Sequence, residues 1–101
     1  MVKKMIEVEI RENRIKITGH AEYAKNGEDI VCAAVTILAQ TLVKAIEEIC
    51  GYEPAGDADS GYFELDTQGI SDTAALLVNA FVIGLHTVKD EFPDYIRFVQ
   101  A

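Results

Sequence analysis

Two side chains in this sequence could carry nucleophilic chemistry together. Cys32 falls three residues after Asp29, a residue of N-cap type, and a helical apolar period begins directly behind that aspartate. The thiol therefore belongs in the first turn of a helix. Unpaired backbone N–H groups and the helix dipole there favour a thiolate over a thiol. His20 lies twelve residues upstream of Cys32, at the start of the segment leading into that helix. Loop closure can bring its imidazole beside the sulfur, and a thiolate–imidazolium pair is the activated nucleophile of many cysteine hydrolases. The free N–H groups at the same helix end could also hold an oxyanion. A plainer reading stands beside this one: cysteine is commonly a small buried hydrophobe, and a loop histidine is commonly just exposed.

Cys50 and His86 serve as internal controls. Cys50 follows Cys32 by eighteen residues on the same predicted helix. Five turns separate the two thiols by about 27 Å along the axis, so they cannot bridge within one chain unless the helix breaks. The C-terminal end of a helix disfavours a thiolate, and Cys50 reads as structural. His86 sits inside an apolar helical run, and reads as a core or interface histidine rather than a second base.

The elements that must position these groups follow from periodicity. Ile6, Val8 and Ile10 alternate with Glu7, Glu9 and Arg11, Glu12-Asn13 turns the chain, and Ile15 and Ile17 resume the alternation. That is a hairpin of half-buried strands. The stretch from Gly19 to Glu28 has glycine near each end and no apolar period, so it reads as a long and therefore functional loop. A helix runs from Asp29 to a stop at Gly51. Tyr52–Ala58 and Tyr62–Asp66 form a second hairpin, weak in its first arm. Ser71 or Asp72 caps a second helix that reaches about Glu91, Pro93 ends it, and Tyr95–Val99 makes a last strand. The predicted fold is α+β in two layers: one mostly antiparallel sheet with two helices, in the order β-β-α-β-β-α-β, as a single domain over residues 1–101. Ala74–Leu85 has Asn79 as its one polar side chain, more apolar than a single sheet contact requires. A second subunit would cover the excess. The run is too short for a membrane span and is followed by His86 and Lys89.

Composition narrows the class. Half of the 101 residues are hydrophobic and 26% are charged, as in a folded domain. The net charge of −8 and the lack of a Lys/Arg cluster argue against direct nucleic-acid binding, but suit a basic protein partner. Two cysteines make neither a zinc site nor a secreted disulfide framework. The N-terminal MVKKMIEVEI alternates apolar with Glu and is not a signal peptide, so a cytoplasmic protein with reduced thiols and no membrane partner is expected.

Gly19-His20-Ala21, then Gly27, then Asp29-Ile30-Val31-Cys32-Ala33-Ala34-Val35 resembles the signature of the ribosomal-processing cysteine protease (Prp) family. The resemblance covers the whole chain in length and element order, and Phe92-Pro93 before a short strand is also similar. It implies a small α+β homodimer that removes a short N-terminal extension from the twenty-seventh protein of the large ribosomal subunit, cutting after an apolar, aromatic-containing segment. Carried over, Cys32 matches the nucleophile and His20 the general base. Asp29 matches a less uniform acidic position, which leaves it open whether its carboxylate caps the helix or orients His20. Thr36 stands where many members have serine, keeping the hydroxyl but adding a methyl. The segment from Gly19 to Gly27 would gate the site, with the two glycines as hinges. No metal or organic cofactor is implied. The rivals are a non-catalytic ribosome-associated dimer that binds a ribosomal protein, and a thiol redox sensor.

Overall fold

The structure is a computed structural model and describes residues 5–19, 30–59 and 61–99. Strands β1 (Ile6–Arg11) and β2 (Arg14–Thr18) form the first hairpin. Helix α1 covers Ile30–Ala45 and runs on into a π turn, Ile46–Cys50, that Gly51 closes in the left-handed conformation (φ 79°). Strands β3 (Gly56–Asp59) and β4 (Tyr62–Asp66) follow, then helix α2 (Asp72–Glu91) and strand β5 (Ile96–Val99). The element order is the expected one.

The sheet has the strand order β3-β4-β2-β1-β5. Three pairings are antiparallel and β1 with β5 is parallel. The register aligns Ile6 with Ile96, Val8 with Ile17 and Phe98, Ile17 with Phe63, and Ile15 with Leu65. One face of the sheet is therefore apolar, and both helices pack on it. Val31, Val35, Ala39, Leu42 and Ile46 are buried from the first helix, and Ala74, Val78, Phe81, Leu85 and Val88 from the second. The other face is charged, with Arg14 donating to Glu64 at 3.0 Å and Arg97 paired with Glu7. Exposed pairs of this kind contribute about 0–1 kcal/mol each, so burial on the helical face carries the stability.

Three expectations are adjusted. The first arm of the second hairpin is shorter than Tyr52–Ala58: only Gly56–Asp59 pairs with β4. Ile10, on the apolar side of β1, is 38% exposed, because it lies at the hairpin turn beyond the helices' cover. His86, read as a core or interface histidine, is not in the core: it is exposed and stacks on Phe98, ring centroids 4.1 Å apart. The apolar excess of α2 is real. Leu76 and Ile83 are 68% and 66% exposed, and Ile30 and Ile37 on α1 are exposed as well. The continuous helix Ile30–Cys50 is long and apolar enough by composition to cross a bilayer, yet its stripe from Val31 to Ile46 is buried in the core of this domain.

Candidate active site

Cys32 is the third residue of α1. Neighbours Val31 and Val35 are fully turned into the core, at 0% and 6% exposure, which fixes the helix rotation. Cys32 stands beside that stripe, half-buried and packed at the core's margin. The side chain is thus held by packing while its flank opens into a cavity.

That cavity has a volume of about 660 Å³ and runs between α1 and the β3–β4 side of the sheet. Its apolar walls include Ile17, Val35, Ala39, Val43 and Phe63. Phe63 is steadied by Phe81, ring centroids 6.1 Å apart. Gly19, Cys32 and Thr36 all line it, so three of the residues singled out from the sequence share one site. Gly19 has φ +96°, a conformation that side-chain-bearing residues rarely adopt, and its N–H donates to the Gly61 carbonyl at 3.0 Å. His20, Asp29 and Gly27 lie outside the described residues. His86 is not part of the described cavity lining.

Neither Cys32 nor Cys50 is in a disulfide. Cys50 lies in the π turn, at the opposite end of the helix from Cys32. Tyr62, at the cavity rim, donates to Glu64 at 3.1 Å. Loss of hydration around the phenol, and then that hydrogen bond, raise its pKa above the usual 10.0, so it is a neutral donor at physiological pH. Among the described residues, no group of three or more His, Cys, Asp or Glu is placed to hold a metal ion.

The sequence reading missed most of the groove. Cys32, Thr36, Gln40 and Lys44 stand four residues apart along one flank of α1, and all line it. The four-residue row was visible from Cys32 onward, but polar residues on a helix flank read equally well as a solvated face.

A helix-borne thiol at an open, mostly apolar groove, on a two-layer α+β scaffold, has the layout of a cysteine hydrolase that takes a chain-like substrate. Comparison with known proteins gives the family. The profile described as Cysteine protease Prp matches residues 2–97, and the chain belongs to that family of cysteine proteases. It is 33% identical to the ribosomal processing cysteine protease Prp of Bacillus subtilis (strain 168), over 92% of this chain and 95% of that protein. The protein of the same name from Staphylococcus aureus (strain Mu50) is 32% identical, over 92% and 96%. The fold is similar to the crystal structure of an essential ribosomal processing protease Prp from S. aureus with a covalently linked product peptide (TM-score 0.82, 23% identity, 97% and 99% covered). The S. aureus protease with a substrate peptide gives a TM-score of 0.78 at 22% identity, over 97% and 99%.

Proposed function

We propose that residues 1–101 form one endopeptidase domain that removes the N-terminal extension of the twenty-seventh large-subunit ribosomal protein, using Cys32 and His20 as a dyad. The observation that carries this reading is the placement of Cys32 in the first turn of α1 at the groove, among the described residues Gly19 and Thr36. Gly19 immediately precedes His20 in sequence. Cys32 attacks the scissile carbonyl, His20 takes the thiol proton and later protonates the leaving amine, and water then releases the acyl group from sulfur. Amides of the first turn of α1 hold the oxyanion. Asp29 serves chiefly as the cap of α1, with its charge a lesser influence on His20. The segment from Gly19 to Gly27 closes over the bound peptide.

The active unit is a homodimer in the cytoplasm, and neither nucleic acid nor membrane is a direct partner. Ile37 and Ile83 flank the point where α2 crosses α1, at Gly84 and Leu38, and a second copy would cover them. The net charge of −8 suits a basic ribosomal substrate. The test is to incubate the protein with the extended precursor and follow the precursor's mass. Loss of a single N-terminal peptide is expected. An intact precursor that nonetheless stays bound would favour the non-catalytic binding protein instead.

A further inference from the structure

Strands β3 and β5 end the sheet, and their outer edges differ. On β5 the Ile6 N–H donates to the Tyr95 carbonyl, so the Ile96 backbone groups point away from β1. The Lys89 ammonium donates to that outward Ile96 carbonyl at 3.4 Å, a lysine guard that discourages edge pairing. On β3 the Asp66 N–H donates to the Ala55 carbonyl, which makes Ala55 with Asp66, and then Asp57 with Glu64, the hydrogen-bonded pairs. Gly56 and Ala58 fall between these pairs and turn their N–H and carbonyl groups outward. Pro54 has no N–H, so the donors of this edge begin at Gly56. Among the described residues, the one bond made by these outward groups runs from the Ala58 N–H to the Asp57 carboxylate, at 2.9 Å.

The β3 edge borders the groove that holds Cys32. Ala58 lines that groove together with Phe63, its partner across the ladder. Gly56 and Ala58 stand opposite Leu65 and Phe63, and their small size leaves the groove open toward the edge. The strand is exposed along its whole length. At its Asp59 end, the Gly61 carbonyl accepts from the Gly19 N–H, and Gly19 lines the groove with Cys32. A chain laid along the β3 edge therefore runs toward the thiol.

We infer that the substrate is held as an added strand on the outer edge of β3, its backbone paired with Gly56 and Ala58 and its alternate side chains entering the apolar groove. This rests on the reading of Cys32 as the nucleophile. Asp57 guards the edge: its carboxylate holds the Ala58 N–H until a substrate carbonyl takes it. In either strand direction, substrate amides two residues apart donate to the Gly56 and Ala58 carbonyls, and the amide between them faces away. The probe is a fluorescently labelled twelve-residue peptide spanning the cut in the extended ribosomal precursor, methylated at one backbone nitrogen at a time. Binding is measured by anisotropy on the full chain carrying Cys32→Ala, and cleavage on the chain with Cys32 intact. Methylation should weaken binding at least tenfold at two positions two residues apart, on one side of the cut, and less than threefold at the position between. Ala58→Pro removes one edge donor where an end strand accommodates proline, and should weaken the unmethylated peptide at least tenfold. Asp57→Ala leaves the edge's backbone intact and should tighten binding at least about twofold, the net worth of one released donor. Loss of a negative charge alone would weaken a basic peptide, so the sign separates the two effects. A flat methylation profile, a folded Ala58→Pro chain that binds undiminished, or an Asp57→Ala chain that binds no tighter overturns the added strand, and cleavage in the same series leaves the peptidase reading intact. An alternating profile without cleavage would instead overturn the peptidase reading and leave the added strand standing.

Discussion

Replacing Gly19 by alanine should be the most informative single change near the site. Gly19 sits at φ +96°, and a Cβ there would lie 2.5 Å from the backbone carbonyl oxygen of Met5. The left-handed backbone alone costs a side-chain-bearing residue about 1–2 kcal/mol. The clash adds an overpacking cost of about 1–3 kcal/mol, because the obstacle is backbone rather than the end of a flexible side chain. Gly19 cannot simply swing aside, since its N–H is bonded to the Gly61 carbonyl. Gly69 provides the comparison: φ is +70° and nothing lies within 4 Å of the position of its missing Cβ. Gly69→Ala should therefore carry the backbone cost only. With a urea slope of about 1 kcal/mol per molar for a domain of this size, the Gly69→Ala midpoint should fall by about 1–2 M and that of Gly19→Ala by a further 1–3 M. Circular dichroism in urea measures both. Under conditions where both variants stay folded, Gly19→Ala should also cleave more slowly, because the change falls in the groove wall next to His20. Equal midpoints for the two variants would refute the steric reasoning.

Ser71 accepts from the Ala74 N–H at 3.2 Å as the cap of α2. Ser71→Ala should lose about 1 kcal/mol and Ser71→Asp little, read from thermal melts. Glutamate at both Leu76 and Ile83 should convert a dimer to monomers in sedimentation at micromolar concentration; a wild-type chain that is already monomeric would remove the reason for those exposed side chains. Tyr62 should ionise above the usual 10.0, the rise in tyrosinate absorbance moving to lower pH when Tyr62→Phe removes the late-titrating group. The sign follows from the raised value: the phenol's contribution to stability is full below the unfolded pKa and is lost as pH climbs through the folded one.

The sequence made the elements legible wherever one face was buried. Ile6, Val8, Ile15 and Ile17 could be assigned to the core because period two leaves one face for the helices. Gly51 and Ser71 ended and began helices through chemistry that is local to them. Strand β3 was hard to read because Gly56-Asp57-Ala58-Asp59 has no apolar alternation and is exposed throughout. It exists because β4 offers a backbone edge and Gly56 tolerates the Glu64 carbonyl, which a Cβ would meet at 2.2 Å. The parallel β1–β5 pairing is a long-range choice that no local signal encodes. Cys32 was legible by residue type and its place behind Asp29, and Thr36 only through the family resemblance. Lys44 and Glu47 were not, because a polar helix flank becomes a groove wall only when another element stands opposite it.

The central claim is that Cys32 is the attacking group and that Cys50 is not. Intact-mass spectrometry should follow the ribosomal precursor and the enzyme together, in wild type, Cys32→Ala and Cys50→Ala. The account predicts clipping by wild type and Cys50→Ala alike, with a transient acyl adduct on Cys32. It predicts an unclipped precursor with Cys32→Ala, whose fold and peptide binding are retained. Clipping by Cys32→Ala, or equal loss in both variants, would contradict it.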